Sequence, residues 1–162
     1  MEESLEIIKK FYDKLPHFPD GRINYADSDS APVLNVFVKC DREILLLKRS
    51  DKVGNYKGYW NTVAGYLDEL KPIGEKALEE FQEELGLPKS MISNMRLGGH
   101  HKYFDEAISK TWIIFPVMIE LKEKPEIKLD WEHDEYKWIL PDELKNFQIV
   151  TGLDIGLGKV LQ

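Results

Sequence analysis

A run of acidic residues on one short predicted helix constrains this chain more than any other feature of its sequence. The segment from Gly58 to Leu87 reads GYWNTVAGYLDELKPIGEKALEEFQEELGL, and its helical part carries Glu75, Glu79, Glu80, Glu83 and Glu84. Like charges three or four residues apart on a helix cost about 0.2 to 0.5 kcal/mol per pair, so this helix tolerates about 1 to 2 kcal/mol of repulsion. Such a helix needs solvent around its acidic face or a bound cation.

Three of these glutamates converge on one side of the helix. At about 100° per residue, Glu84 lies about 40° from Glu80 on one side, and Glu83 lies about 60° from it on the other. The apolar stripe lies directly beside Glu80 and Glu84, and consists of Ala77, Leu78, Phe81 and Leu85. The carboxylates therefore border the core.

Two interpretations of this acidic side remain open from composition alone. Oxygen ligands suit Mg²⁺ or Mn²⁺, and Mg²⁺ is usually held by a few carboxylates together with substrate phosphates. The alternative is a solvated acidic face that Lys76 partly neutralises, because charge runs are usually surface features. The spacing of other residues around the helix bears on the choice.

Length, charge and cysteine content narrow the class of protein. The chain has 162 residues, which fits one globular domain, and a net charge of -7, which opposes tight binding to a nucleic-acid polymer. Its single cysteine, Cys40, ends an apolar run and is expected to be a buried structural thiol. The acidic N-terminus does not resemble a signal peptide, and no stretch reaches the roughly 20 apolar residues that span a bilayer, so we expect a cytoplasmic protein that does not bind membranes.

Apolar periodicity predicts the order of elements. An N-terminal helix ends before Pro16, and residues 1–31 form this helix and an extended arm, leaving 32–162 as a single domain. The runs VLNVFVKC and EILLLKRS predict a hairpin, and Pro72 and Gly86 bracket the acidic helix. The strand TWIIFPVMIEL contains Pro116, which favours an edge position or a bulge. The order of strands and helices predicts an α/β or α+β sandwich.

The segment from Gly65 resembles the Nudix box. That pattern is Gly, five residues, Glu, seven residues, Arg-Glu, an aliphatic residue, any residue, Glu-Glu, any residue, Gly and an aliphatic residue. The residues that fall on its positions are Gly65, Glu80, Glu83, Glu84, Gly86 and Leu87, with Phe81 in the first aliphatic position. The resemblance extends roughly from Pro32 to Leu144, and implies a Nudix α/β/α sandwich with a central mixed β-sheet.

Two positions depart from the box with their charges exchanged. Lys71 stands where the family has its first Glu, and Glu79 stands where it has Arg. In the family these two residues are thought to pair and to brace the loop against the helix. We therefore predict that Lys71 and Glu79 form the same brace with its signs reversed; the alternative is a solvated Lys71 in a decayed box, with Glu75 beside Gly74 as a displaced acid.

The resemblance implies a chemistry and a metal site. Nudix enzymes hydrolyse a nucleoside diphosphate linked to another moiety, by water attack on phosphorus with divalent cations. By position, Glu80 and Glu84 are the main ligands of Mg²⁺ or Mn²⁺, Glu83 is a further ligand or a water-orienting group, and the Gly65 carbonyl supplies another oxygen. Arg49 matches a position that contacts substrate phosphate, which suits guanidinium geometry.

The general base is less constrained, because in this family it often comes from a variable loop, and nothing in the sequence selects one residue for stacking on a base. Glu132 and Glu135 are the candidates for the general base, with His133 behind them. Two histidines, His100 and His101, follow paired glycines and are expected to be solvated in a loop. Trp131 and Tyr103 are the candidates for stacking on a nucleobase.

Two other functions remain open at this point. One is a Nudix-fold nucleotide-binding module or sensor with weakened catalysis, motivated by Lys71 and Glu79. The other is an isopentenyl diphosphate isomerase, whose chemistry uses an active-site cysteine; Cys40 lies in the wrong segment for that role. The expected partner is a small nucleoside diphosphate derivative of undefined leaving group, and the amphipathic N-terminal arm is a possible homodimer contact.

Overall fold

The computed structural model describes residues 2–161. Within that range the strands are β1 (Ser30–Cys40), β2 (Glu43–Arg49), β3 (Trp60–Asn61), β4 (Val63–Tyr66), β5 (Ile92–Leu97), β6 (His101–Asp105), β7 (Lys110–Leu121) and β8 (His133–Ile139). The helices are α1 (Glu2–Lys14), α2 (Ile73–Leu85) and α3 (Leu153–Val160), with 3₁₀ helices at Lys89–Met91 and Pro141–Asn146.

The strands form one mixed sheet around β1 and β7. These two strands run parallel, from the pair Ser30 and Thr111 to the pair Lys39 and Glu120. On its other side β1 pairs antiparallel with β2 and β4, while β7 pairs antiparallel with β5 and β6. Strand β2 also pairs antiparallel with β3 and β8. The central mixed sheet predicted from the sequence is confirmed.

Helices cover both faces of this sheet. Successive side chains of a strand point to opposite faces, so Val36 and Val38 enter the core beneath α1 and α2, whereas Phe37 enters the core beneath α3. The first core is the larger and includes Phe81 of α2. The predicted α/β/α sandwich is therefore confirmed, and the buried position of Cys40 agrees with a structural thiol.

The N-terminal helix packs on its own domain. Ile8 is fully buried, and the Phe11 ring meets the Tyr25 ring edge-on at 5.7 Å between centroids. The Tyr25 hydroxyl in turn donates to the Leu67 carbonyl at 2.6 Å. The apolar face of α1 is thus used within the chain; the division of the chain after residue 31 and the homodimer contact both stay predictions.

A two-residue turn joins β1 to β2 without glycine. Cys40 pairs with Glu43, and Asp41 between them has a φ of 54°. Aspartate adopts this left-handed conformation more readily than most residues, because its short polar side chain can bond to nearby backbone. The predicted hairpin is confirmed.

Pro116 lies in the centre of the sheet, so its predicted edge position was wrong. Its strand β7 has β1 on one side and β5 and β6 on the other. The Pro116 carbonyl accepts a hydrogen bond from Gly98, which lies between β5 and β6 where the pairing on that side is interrupted. Proline has no N–H to donate, and it lies where the registered pairing of β7 passes from β5 to β6.

Several elements near the C-terminal half were not predicted. Strand β6 begins at His101, whose ring nitrogens are both buried, so the predicted solvated loop was wrong for this residue. Helix α3 has eight residues and contains Gly156 and Gly158, which lower its intrinsic helix propensity. Apolar periodicity therefore did not predict this helix. In the described part of the chain, every helix is too short or too polar to cross a membrane.

Candidate active site

Helix α2 is fixed at both ends and along one face. Pro72 precedes it, Gly86 ends it with a left-handed φ of 67°, and the Gly86 N–H donates to the Gln82 carbonyl at 2.9 Å. Phe81 and Leu85 are fully buried in the larger core. This anchoring sets the direction in which Glu80 and Glu84 point.

Glu84 is a buried carboxylate. Its residue is 3% exposed, and among the described residues its Oε2 atom has no hydrogen-bond partner. Burial raises the pKa of Glu84 well above its ordinary value, and contact with Glu80 and the charges of Glu132 and Asp130 raise it further. A wholly solvated acidic face is therefore wrong for this helix.

Glu80 lies against the backbone of Gly65. A Cβ atom added to Gly65 would lie 2.9 Å from Glu80 Cδ and 3.0 Å from Glu80 Oε1. A larger residue here would therefore displace the Glu80 carboxylate, which is the far end of a flexible side chain. Burial raises the pKa of Glu80, while contact with Glu84 and the charge of Lys76 lower it.

Lys76 neutralises part of the cluster from within. Its ammonium lies 3.3 Å from Asp68 Oδ1, 3.1 Å from Glu69 Oε1 and 3.7 Å from Glu80 Oε1, and its side chain is 7% exposed. The residue is buried rather than solvated. It offsets charge at Glu80 and leaves Glu84 without a comparable partner.

The exchanged pair of the box forms a direct contact. Lys71 Nζ donates to Glu79 Oε1 at 2.6 Å and lies 3.3 Å from Glu69 Oε2. The hydrogen bond with Glu79 raises the pKa of Lys71. The predicted brace with reversed signs is confirmed, and the loop before α2 is tied to the helix as the family pattern requires.

A cavity of about 230 Å³ opens beside Gly65 on the face of the sheet that α3 partly covers. Arg49 and Glu132 lie in its wall together with Asn55, Tyr56, Tyr66 and Trp112. Arg49 donates from Nε to the Asn55 carbonyl at 3.1 Å and from its terminal nitrogen to Asn55 Oδ1 at 3.0 Å. Asn55 thus holds one edge of the guanidinium, and burial lowers the pKa of Arg49.

The two candidates for the general base lie in different places. Glu132 is in the cavity wall, where burial and the charge of Asp130 raise its pKa and Arg49 lowers it. Glu135 is exposed on β8, with its carboxylate 3.9 Å from the Lys48 ammonium. The structure brings Glu132, but not Glu135, together with Arg49.

His133 lies beside a residue that the sequence argument missed. His133 Nδ1 is 3.1 Å from Asp130 Oδ1, and His133 is buried. Asp130, His133 and Glu84 each offer a ligand atom, and these atoms lie within 4.8 Å of one another. The DxxH spacing of Asp130 and His133 was a possible signal, but nothing local places it next to Glu84.

The remaining predicted residues lie at the edge of this arrangement. Glu83 is exposed on α2, and its charge raises the pKa of Glu80. Trp131 is 63% exposed and, like Tyr103, is absent from the cavity wall formed by the described residues. Tyr66 and Trp112 supply the aromatic surface instead, with ring centroids 6.0 Å apart. Trp112 was not among the candidates predicted from the sequence, because only strand pairing brings it to Tyr66.

The residues present fit a divalent cation. A buried carboxylate oxygen without a partner at Glu84, and a carboxylate cradled against a glycine at Glu80, both leave negative charge that the described residues compensate only in part. The donors are mainly oxygens, which suits Mg²⁺ or Mn²⁺.

The fold and the site together define an α/β/α sandwich in which a carboxylate-bearing helix adjoins a cavity on the central sheet. A family model described as the NUDIX domain matches residues 29–154. The chain therefore belongs to the Nudix hydrolase family and is an enzyme of that class, as its motif predicted.

The following relative and two solved structures are distant from this chain in sequence. The nucleoside triphosphatase NudI of Escherichia coli is 23% identical over 120 residues, covering 69% of this chain and 83% of that protein. The MutT protein of Methanosarcina mazei Go1 has the same fold, with a TM-score of 0.66 at 19% identity over 82% of this chain and 93% of the other. A bifunctional NMN adenylyltransferase/ADP ribose pyrophosphatase of Francisella tularensis was solved with AMP and a Mn ion. It matches with a TM-score of 0.62 at 18% identity, over 94% of this chain and 44% of the other.

Proposed function

We propose that this protein hydrolyses a pyrophosphate bond in a nucleoside diphosphate linked to another moiety, with Mg²⁺ or Mn²⁺ as the cofactor. Water attacks one phosphorus atom, a new P–O bond forms, and the bond to the bridging oxygen breaks. The small-molecule substrate occupies the cavity beside Gly65. The cytoplasmic location predicted from the sequence stays a prediction.

One observation carries this proposal. The Glu80 carboxylate lies against Gly65, which itself forms part of the cavity wall, and the neighbouring Glu84 keeps a buried oxygen without a partner among the described residues. The uncompensated negative charge of these carboxylates thus lies next to the cavity that we assign to the nucleotide. Glu80 and Glu84 would hold the cation, with the Gly65 carbonyl and Glu83 as further ligands.

The chain's own residues supply the rest of the chemistry. When bound, the divalent cation supplies charge neutralisation at the phosphate oxygens and acidification of water. Arg49 has one guanidinium edge held by Asn55, and its other N–H groups can donate to a phosphate oxygen. Glu132 faces the same cavity and is proposed to accept the proton of the attacking water. Glu135 is assigned no role, because it pairs with Lys48 outside the cavity.

The aromatic part of the cavity supports a nucleoside substrate. Tyr66 and Trp112 line it, with Lys110 Nζ 5.2 Å from the centre of the Trp112 ring. Aromatic rings stack on nucleobases irrespective of sequence, and stacking contributes about 1 to 3 kcal/mol per base. The activities in the names of the Escherichia coli and Francisella tularensis relatives point to the same substrate class.

The observation that favoured a nucleotide-binding sensor with weakened catalysis no longer supports it. It rested on Lys71 and Glu79 as signs of a decayed box, but these residues are paired at 2.6 Å. A retained brace is what a functional loop and helix need.

A panel of nucleoside diphosphate derivatives tests the proposal. Product release is measured with Mg²⁺ or Mn²⁺ for the wild type, for Glu83→Gln and for Glu132→Gln, with a chelator control. Glu75→Gln is the matched control, since Glu75 is exposed on the same helix, outside the cluster. We expect cleavage by the wild type and Glu75→Gln, a large loss in Glu83→Gln and Glu132→Gln, and none with chelator.

The contrary outcome is equally clear. If nucleotides bind but no member of a broad panel is cleaved, the protein is a sensor. If cleavage persists at full rate in chelator, the carboxylates have no cofactor role.

A further inference from the structure

We propose that Glu84, Asp130 and His133 form a cation site of mixed oxygen and nitrogen ligands, which favours a transition-metal ion such as Mn²⁺ or Co²⁺ over Mg²⁺. The site shares Glu84 with the carboxylate cluster of α2 and adds two residues from outside the family motif. Its role in catalysis rests on the proposed function, but the binding site itself does not.

The geometry is that of a ligand set. A carboxylate oxygen of Glu84, a carboxylate oxygen of Asp130 and a ring nitrogen of His133 lie within 4.8 Å of one another. Two ligand atoms that each lie about 2 Å from one ion are at most about 4 Å apart. Side-chain shifts of about 1 Å would therefore bring these three atoms to ligand distance.

The burial of these groups calls for a partner. Glu84 is 3% exposed and His133 is 5% exposed. Among residues 2–161, Glu84 Oε2 meets no hydrogen-bond donor. A buried ionised oxygen without a partner is costly, and a divalent cation removes that cost.

Backbone contacts build the site from distant segments. Lys128 N–H donates to the Leu85 carbonyl at 3.3 Å, which ties the segment before Asp130 to the end of α2. Ser50, just after β2, donates from its N–H to the Glu132 carbonyl at 2.8 Å and from its hydroxyl to the Trp131 carbonyl at 2.9 Å. The turn that carries Asp130 and His133 is therefore held on both sides, beside Glu84.

The charges around the site favour a cation. The charges of Glu80, Glu132 and Asp130 all raise the pKa of Glu84. Arg49 is a nearby cation whose pKa the charge of Glu84 raises, and it donates two of its N–H groups to Asn55. Lys76 compensates Glu80 at 3.7 Å rather than Glu84.

The imidazole determines the preference among metals. His133 Nδ1 lies 3.1 Å from Asp130 Oδ1, so an imidazole nitrogen and a carboxylate oxygen already lie side by side. Imidazole nitrogen suits transition metals, whereas Mg²⁺ demands oxygen ligands in near-ideal octahedral geometry.

Cobalt binding to the full chain tests the site directly. Co²⁺ is titrated into chelator-treated wild type, His133→Gln and Asp130→Asn, followed by visible absorption and calorimetry, and the titration is repeated with Mg²⁺. His100→Gln is the matched control, because His100 lies outside the site. We expect Co²⁺ affinity to fall by about tenfold or more in His133→Gln and Asp130→Asn, with a smaller change for Mg²⁺ and wild-type binding in His100→Gln.

A second measurement covers the case in which His133→Gln does not fold. Mn²⁺ bound to the wild type should show electron-spin-echo modulation from a ligand nitrogen. Absence of nitrogen coupling, or Co²⁺ binding within twofold of wild type in a folded His133→Gln or Asp130→Asn, overturns the proposal.

The outcomes separate this inference from the proposed function. Nitrogen coupling without cleavage of any nucleotide leaves the site standing and removes the hydrolase proposal. Cleavage with Mg²⁺ that is unchanged in His133→Gln, with no nitrogen coupling, removes the site alone.

Discussion

Lys71 Nζ lies 2.6 Å from Glu79 Oε1, so the loop before α2 and the helix are joined by an ion pair whose signs are opposite to those of the family motif. The contact requires only that the two charges differ in sign. A position that looks like a departure in a motif comparison is therefore a conservative change when both partners are considered.

Reversing this pair should show coupling between the two residues. Lys71→Glu or Glu79→Arg alone should lower the thermal midpoint, because each places like charges in contact. The double variant should recover part of the loss, and only part, because Glu69 lies 3.3 Å from Lys71 in the wild type. Thermal unfolding of the four proteins measures the coupling; additive losses would contradict the brace.

A matched pair on α1 serves as the control for that experiment. Lys9 and Asp13 are 3.0 Å apart and exposed to solvent. Exposed pairs of this kind contribute about 0.3 to 0.5 kcal/mol, so their reversal should give little coupling.

Gly65→Ala should remove activity while the fold is retained. The new Cβ would lie 2.9 Å from Glu80 Cδ, so the carboxylate must move. A displacement of about 1 Å at a catalytic group costs about 100-fold in rate. Hydrolysis and thermal unfolding are measured together, with Gly99→Ala as the control because its Cβ meets nothing within 4 Å. Full activity in Gly65→Ala would show that Glu80 is not held in place by this contact.

Removal of the cation should lower the stability of the wild type more than it lowers the stability of the Glu84→Gln variant. In chelator, the variant lacks the buried charge at Glu84, so its free energy of unfolding should exceed that of the wild type by about 1 kcal/mol. Cation at about 100 times its Kd should stabilise the wild type by about 2.7 kcal/mol and the variant by much less. Denaturant unfolding with and without Mn²⁺ checks this, and Glu75→Gln should behave as the wild type does.

His101 should make stability dependent on pH. Both of its ring nitrogens are buried without partners among the described residues, and Gly156 of α3 lies over the ring. Burial, followed by the charges of Lys159 and His100, lowers its pKa below 6.5. The unfolded chain therefore takes up this proton at a higher pH than the folded chain, so the free energy of unfolding falls as the pH drops below about 6.5 and levels off below the folded pKa.

The substitution His101→Leu should flatten this dependence. Urea unfolding of both proteins at pH 7.5 and pH 5.5 measures the difference. An unchanged difference between the two pH values would mean that His101 accepts a proton in the folded state without cost.

The bounds and orientation of α2 could be predicted from local patterns of residues. Pro72 and Gly86 bound α2 because proline and glycine act on backbone conformation within a few residues. The convergence of Glu80 and Glu84 follows from helical spacing, which also places Phe81 in the core. The β1–β2 hairpin was predictable for the same reason, since strand periodicity and a short turn are properties of neighbouring residues.

Only the tertiary structure decided which distant residues complete the site. Strand pairing brings Trp112 to Tyr66, selects Glu132 rather than Glu135 for the cavity, and places Asp130 beside Glu84. It also gives Pro116 a central position where the partner strands are interrupted. These outcomes depend on the order and register of strands far apart in sequence, which hydrophobic periodicity does not encode. The ends and orientation of α2 follow from neighbouring residues, whereas the residues that contact it are determined by how the strands pair.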